Sequence, residues 1–281
     1  MQEKSHQITG RTAAAFAAAP RMWEYSEGTI ANYLRSVRAF AAWSGGTASR
    51  SRTAGWKAHL AGSHAPAMVN TMLAGVNCFF VTMGWEECRT KPLRLQRRSF
   101  QDPERELCRE DYRRLVQTAR TLGRERLAPL METICATGIR VGEVPYITVE
   151  AARAGTASIF LKGKVRTILL PGKLCRRLLR YARAHGLSVG PVFLTGGGRP
   201  LSRTQIWAEM KRLCRAAGVA ASRVFPHNLR HLFARTFYGP CRDIVKLADI
   251  LGHSSIDTTR IYLRTTGAEH VRQLERLHLL C

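Results

Sequence analysis

The chain has 281 residues, 45% of them hydrophobic, enough to bury one large core or two ordinary ones, which excludes a disordered tail. Its 44 Lys and Arg stand against 20 Asp and Glu, a formal charge of +24, and all but eight of the basic residues are arginine, whose planar fork suits phosphate oxygens; this points to a polyanionic partner, most simply nucleic acid. The sequence has no apolar run of eighteen residues and no signal-peptide core in "MQEKSHQITG", so a cytoplasmic protein without a membrane partner is expected, and its eight scattered cysteines, none in a C-x-x-C pair, read as reduced thiols rather than a zinc site.

Residues 11–19 read as a helix that stops before Pro20. Residues 27–43 form a clear amphipathic helix, with Ile30, Tyr33, Leu34, Val37, Phe40 and Ala41 on one face. After a loop, a short helix is expected around 54–60. A second amphipathic helix over 66–83 carries Val69, Met72, Leu73, Val76, Phe80 and Met83. These make a small all-helical unit. Residues 88–106, rich in charge and broken by two prolines, read as a basic linker. The net charge is +8 over residues 1–98 and +16 over the rest, so both parts can face one long polyanion.

The second part is longer and mixed. Helices are expected at 109–121 and 125–136, the latter stopping at Gly138. "YITV", "ASIFL" and "RTILLP" read as short strands, the last two joined by a tight hairpin at "KGKV". Helices follow at 173–185, 202–217, 226–238, 241–250 and 255–264, with an amphipathic piece at 268–279. The fold class expected is mainly α with a small antiparallel sheet in the C-terminal domain.

The stretch "PHNLRHLF" at 226–233 places two histidines and an arginine within five residues. Pro226 suits the first turn of a helix, so His227 lies near its positive end, three residues before Arg230 on one face, while His231 is assigned to packing. A solvated helix face, a metal site, an acid–base site or a phosphate clamp would each use such residues. No carboxylate lies at ligand spacing, and neither H-E-x-x-H nor a P-loop is present. Metal-free chemistry on phosphate has every part it needs. Arg140 and Arg230 can neutralise nonbridging oxygens. A lysine at the hairpin, Lys162 or Lys164, can protonate a leaving oxygen. His227 and His253 can handle protons, and Tyr262 can act as a nucleophile.

"ATGIRVGEV", "FLKGKVRTILLP", "HNLRH" and "LGHSSIDTTRIY", in this order, resemble the boxes of the tyrosine recombinases, in the phage-integrase and Xer branch. The resemblance covers nearly the whole chain. It implies a helical core-binding domain at 1–98, the end of a linker at 99–106, and a catalytic domain with an assembly tail at 107–281, together a two-domain clamp on double-stranded DNA. It implies that Arg140 and Arg230 hold the scissile phosphate, that Tyr262 forms a 3′-phosphotyrosyl link, that Lys162 is the general acid, that His227 is the base or proton relay, and that His253 hydrogen-bonds the phosphate. Lys164, Arg166 and Arg35 are expected DNA contacts. Glu143 resembles the family's buried acidic partner. The hairpin departs from the usual G-K-G-x-K-x-R by one residue, which leaves Lys164 as the alternative to Lys162. The resemblance further implies a site-specific recombinase or integrase that works as a tetramer through a Holliday junction, with no metal, cofactor or ATP. Type IB topoisomerases share similar chemistry, and a DNA-binding protein with an inert site is the reading from another class.

Overall fold

The computed structural model describes residues 3–19, 25–95, 103–161 and 164–263, together with Val271, Glu275 and Arg276. The chain is mostly helical with small antiparallel sheets, and it divides into two compact units, Met1–Arg97 and Arg98–Cys281.

The first unit runs β1 (His6–Gln7), α1 (Gly10–Ala18), α2 (Glu27–Ser44), β2 (Thr47–Ala48), α3 (Arg50–Ser63) and α4 (Pro66–Thr82). Each helix start has a local cause. Thr9 and Thr12 form a reciprocal capping box, Ser26 and Ser49 accept N–H groups of the first turn, and Pro66 opens α4. The Ser49 cap lengthens α3 well beyond the 54–60 segment expected. An all-helical unit is also corrected, because β1 pairs with β2 in an antiparallel bridge, His6 opposite Ala48. The predicted faces of α2 and α4 meet in an aromatic core. Phe40 packs against Trp56 and Phe80 at 5.2 and 5.8 Å between centroids, and Phe16 meets Phe79 edge-on. Burial of side chains this large contributes about 1.5–3 kcal/mol each.

The stretch from residue 88 expected to be a basic linker is docked at its start. Asn70 exchanges two hydrogen bonds with the backbone of Leu93, and Asn77 does the same with Thr90. Two asparagines seven residues apart lie on one face of α4 and bind the extended chain as a neighbouring strand would.

The second unit contains α5 (Arg109–Thr121), α6 (Leu127–Thr137), a 3-10 helix (Val141–Tyr146), α7 (Val149–Ala154), β3 (Thr156–Leu161), β4 (Lys164–Leu169), α8 (Gly172–Ala184), α9 (Arg203–Ala217), α10 (Pro226–Cys241), α11 (Ile244–Leu251) and α12 (Ile256–Arg260), which continues as a 3-10 turn Ile261–Leu263. "YITV" is not a strand. Tyr146 ends the 3-10 helix, Thr148 caps α7 and Val149 lies inside it. The Thr148 hydroxyl accepts the Ala151 N–H, and this cap outweighs the β propensity of four residues. The hairpin is present, with Leu161 opposite Lys164; residues 162 and 163 lie outside the described residues. Helix α10 runs past 238 and ends where Arg242 turns left-handed, φ 51°, so α11 begins three residues later than expected, capped by Asp243. The helix expected at 268–279 falls outside the described residues except at its three described positions.

One core binds α5, α6, α8, α9, α10 and the inner face of the hairpin through Leu115, Leu130, Leu178, Ile206, Leu229 and Ile159. A smaller cluster, Ala234, Leu247, Leu251 and Tyr262 with Phe233 and Phe237, joins α10 to α11 and to the turn after α12. It is this cluster that seats Tyr262.

Helices α2 and α4 approach closely at Gly75, where a Cβ would lie 3.0 Å from Ser36 Cβ and 3.1 Å from Tyr33 Cα. Gly75→Val should therefore lower the stability of the first unit by about 1–3 kcal/mol, from overpacking. Urea unfolding followed by Trp fluorescence measures it, and an unchanged midpoint would show that the two helices separate freely.

Candidate active site

Four segments converge on one buried guanidinium. Pro226 starts α10 without spending a backbone donor, and one turn later Arg230 points inward, its residue 1% exposed. A solvated arginine is thereby excluded. Its Nη1 donates to the Gly138 carbonyl, at the left-handed turn that ends α6. Its Nη2 donates to the Leu251 carbonyl at 2.9 Å and to His253 Nε2 at 2.8 Å, and its Nε donates to the Tyr262 hydroxyl at 3.2 Å. None of these hydrogen-bond partners carries a negative charge. A buried cation held by neutral acceptors alone is costly, and it remains a strong attractor for an anion.

Arg140 follows the α6 stop. Its backbone N–H and its Nη1 both go to Glu143, at 2.7 and 3.1 Å, and Glu143 is buried at 2% exposure. Arg140 keeps 43% of its side chain exposed and also reaches the Gly252 carbonyl at 3.4 Å. Arg166 Nη2 binds Glu143 Oε2 at 3.0 Å, so two guanidinium groups share one carboxylate, and the third, Arg230, stands beside them without one. The local field is strongly positive, as an oxyanion requires. Burial, and then the neighbouring arginines, push the Arg166 pKa down to about 10 against the pull of Glu143, which leaves it charged at neutral pH. Burial likewise holds the Arg230 pKa below its ordinary value.

His253 follows Gly252, the left-handed residue that ends α11. A guanidinium can only donate, so His253 Nε2 accepts from Arg230 and its proton sits on Nδ1, which donates to the buried Thr259 hydroxyl at 2.8 Å. Burial and the charges of Arg230 and Arg140 lower its pKa to about 4. His227 keeps an exposed edge, yet its ring is walled by His231 and Tyr262, and burial with the nearby arginines depresses its pKa as well. Both rings are neutral at pH 7 and able to accept a proton.

Tyr262 is 5% exposed. Three imidazoles surround it, with ring centroids at 4.4 Å for His231, 5.5 Å for His253 and 5.6 Å for His227. His231, assigned by its sequence to packing, instead lies in the site, its ring against both His227 and Tyr262. His227 and His231 are four residues apart and therefore share a face, a spacing visible in the sequence. The His231 Nδ1 is buried without a hydrogen-bond partner, and burial drives its pKa to about 4.

Arg140, Arg230, His227, His253 and Tyr262 are thus brought together. Lys162 lies outside the described residues, and Lys164 is placed only as the first residue of β4. Arg166 turns into the site and is not offered on the surface. Arg35, in the first unit, is exposed on α2 and bonds Asn32 one turn before it. Among the described residues the one mixed cluster with metal-ligand atoms is His6, Glu87 and Cys88, in the first unit.

His231 and His253 have an ordinary pKa of 6.5 and a folded-state pKa of about 4. The unfolded chain therefore binds more protons between these values, and folding stability is lost as pH falls from about 6.5 through about 4. The thermal midpoint should drop across that window, and His231→Phe, which keeps a ring against Tyr262, should flatten the drop. An equal slope in the variant would show that His231 does not titrate with folding.

The phage integrase family model matches residues 105–269, which contain all of this site. Tyrosine recombinase XerD of Xanthomonas axonopodis pv. citri (strain 306) is 34% identical over 165 residues, covering 53% of each chain. XerD of Brucella suis biovar 1 (strain 1330) is 35% identical over 166 residues, 55% of this chain and 51% of that protein. The chain spans about half the length of the curated relatives it matches. In three dimensions it resembles the Tn1549 transposon integrase in complex with transposon right end DNA, at TM-score 0.71 and 15% identity over 95% of this chain and 99% of that one. A lambda integrase dimer bound to a COC′ core site also gives 0.71, at 16% identity over 92% and 77%. With the family model covering more than half of its length, and with the arginines, histidines and tyrosine converging as described, this chain belongs to the phage integrase family.

Proposed function

We propose that the protein is a site-specific DNA recombinase that cuts and rejoins duplex DNA through a 3′-phosphotyrosyl intermediate. The observation that carries this is the Tyr262 hydroxyl at 3.2 Å from a buried, carboxylate-free Arg230, among three neutral imidazoles. A scissile phosphate entering beside Tyr262 meets Arg140 and Arg230 as ligands for its nonbridging oxygens. Arg230 can trade its neutral acceptors for the anion, and the interaction strengthens as negative charge builds in the transition state.

The Tyr262 oxygen attacks phosphorus while its proton passes to a neutral histidine, His227 in this reading. The bond from phosphorus to the 5′ oxygen breaks, and Lys162 supplies the proton that oxygen takes up. The phosphotyrosyl bond conserves the energy of the phosphodiester, so rejoining needs no ATP. The two units, both basic, would close around the duplex as a clamp, with Arg35 and Lys164 contacting DNA. Four protomers would exchange strands through a Holliday junction in the cytoplasm. The solved relatives in complex with DNA support this assembly, among them a lambda integrase tetramer bound to a Holliday junction.

Two experiments test the reading. Sequencing of DNA trapped covalently on the protein in its native host identifies the target, and Tyr262→Phe should bind that DNA with unchanged affinity and form no adduct. An undiminished adduct would place the nucleophile elsewhere. On the same DNA with a 5′-bridging phosphorothiolate, whose thiolate leaves without a proton, a Lys162→Ala variant should recover at least tenfold of the roughly 10²–10⁴-fold it loses, and His227→Ala should not. Recovery confined to Lys164→Ala would move the acid two residues along the hairpin.

A further inference from the structure

Arg166 stands on β4 between Val165 and Thr167, both exposed, so its own side chain passes to the inner face of the hairpin. Only 15% of that side chain is exposed. Its Nη2 binds Glu143 Oε2 at 3.0 Å, its Nη1 donates to the Leu251 carbonyl, and its Nε is buried without a partner. The group presses so closely on the turn after α11 that a Cβ at residue 252 would lie 2.6 Å from Arg166 Cδ; Gly252, at φ 63°, leaves that space empty. An arginine that contacts DNA phosphate from a hairpin would hold its fork outward in water. This one has turned its fork inward and committed two donors.

What it touches is informative. Glu143, its first acceptor, also takes the backbone N–H and Nη1 of Arg140. The Leu251 carbonyl, its second, also takes Nη2 of Arg230 at 2.9 Å. Arg166 therefore shares one acceptor with each of the two arginines assigned to the phosphate. It also fixes the turn that presents His253 and the Gly252 carbonyl bound by Arg140.

We propose that Arg166 is a positioning residue, not a DNA contact: by sharing Glu143 with Arg140 and the Leu251 carbonyl with Arg230, it sets the spacing of the two phosphate-binding guanidinium groups and ties that spacing to the seating of the β3–β4 hairpin. Its charge is the third in the site, so it adds to the field that receives the anion while its side chain stays back from it. The strand that carries Arg166 also begins at Lys164, two residues after the expected general acid in sequence. One side chain thus links the clamp side of the reaction to the proton-donor side.

This inference rests on the phosphoryl-transfer reading above. The test uses the full chain and the DNA recovered by trapping. Arg166→Met keeps length and removes charge and donors; Arg166→Lys keeps charge on a single head. The expected result is DNA affinity within about twofold of the parent, an unchanged salt slope, and an adduct rate at saturating DNA about 10²-fold lower for Arg166→Met, as a misplacement on the order of 1 Å produces, with Arg166→Lys in between. A 5′-phosphorothiolate should not restore it, because leaving-group protonation is intact. Gly252→Ala, which pushes Arg166 off the Leu251 carbonyl from the other side, should give the same pattern. Weaker affinity, a salt slope reduced by about one and a normal rate at saturation would make Arg166 a DNA contact and overturn the proposal. Amide exchange without DNA should quicken at residues 251–253 in Arg166→Met; unchanged exchange there would also overturn it. Should the parent protein form no adduct on any DNA, the recombinase reading fails, and the exchange measurement still decides whether Arg166 holds the turn.

Discussion

The arrangement depends on one interaction, the burial of the Arg230 guanidinium among neutral acceptors. A cation taken out of water loses several kcal/mol of solvation, and carbonyl, hydroxyl and imidazole partners return only part of it. A carboxylate in contact would neutralise the charge and also cancel its pull on an incoming anion. The chain instead keeps its buried carboxylate, Glu143, on Arg140 and Arg166, and leaves Arg230 with dipoles. The fold bears a local cost that leaves Arg230 free to take an incoming anion as a stronger partner.

Helix ends supply those dipoles. The Gly138 carbonyl lies at the end of α6 and the Leu251 carbonyl at the end of α11, and both turns need a left-handed residue. The last carbonyls of a helix lack intrahelical partners, and an inward arginine satisfies them while they satisfy it. Side chains crowd both glycines, Phe233 and Leu251 at Gly138 and Arg166 at Gly252, so neither site has room for a Cβ. The small cluster of Leu247, Leu251 and Ala234 then holds the Tyr262 ring beside these turns. Packing, backbone geometry and electrostatics are here one structure seen at three scales.

Much of this was legible in the sequence where a pattern is long. The periodic faces of α2 and α4 are the buried faces, and Pro226 marks the start of α10. The residue types of the site were legible as boxes. What the sequence hid was short or inverted. "YITV" carries β-branched residues over too few positions to separate a strand from a helix start, and the Thr148 cap decided it. Asn70 and Asn77 look like ordinary polar residues until the chain returns to them. The hairpin carries apolar side chains on both faces, with Ile159 and Ile168 buried but Phe160, Val165 and Leu169 63–71% exposed and Arg166 turned inward, so hydrophobic alternation does not tell which face is which. The place of His231 is legible, since a separation of four residues puts it on the face of His227.

The most direct test of the account asks whether Arg230 acts through charge. A methylphosphonate at the scissile position removes the negative charge that Arg230 is held to neutralise. On ordinary phosphate, Arg230→Ala should lose on the order of 10²–10³-fold or more in adduct formation. On the methylphosphonate the same variant should come within about tenfold of the parent protein, because a neutral phosphorus centre has no charge to clamp. A loss of equal size on both substrates would mean that Arg230 only holds the structure together, and would contradict the account.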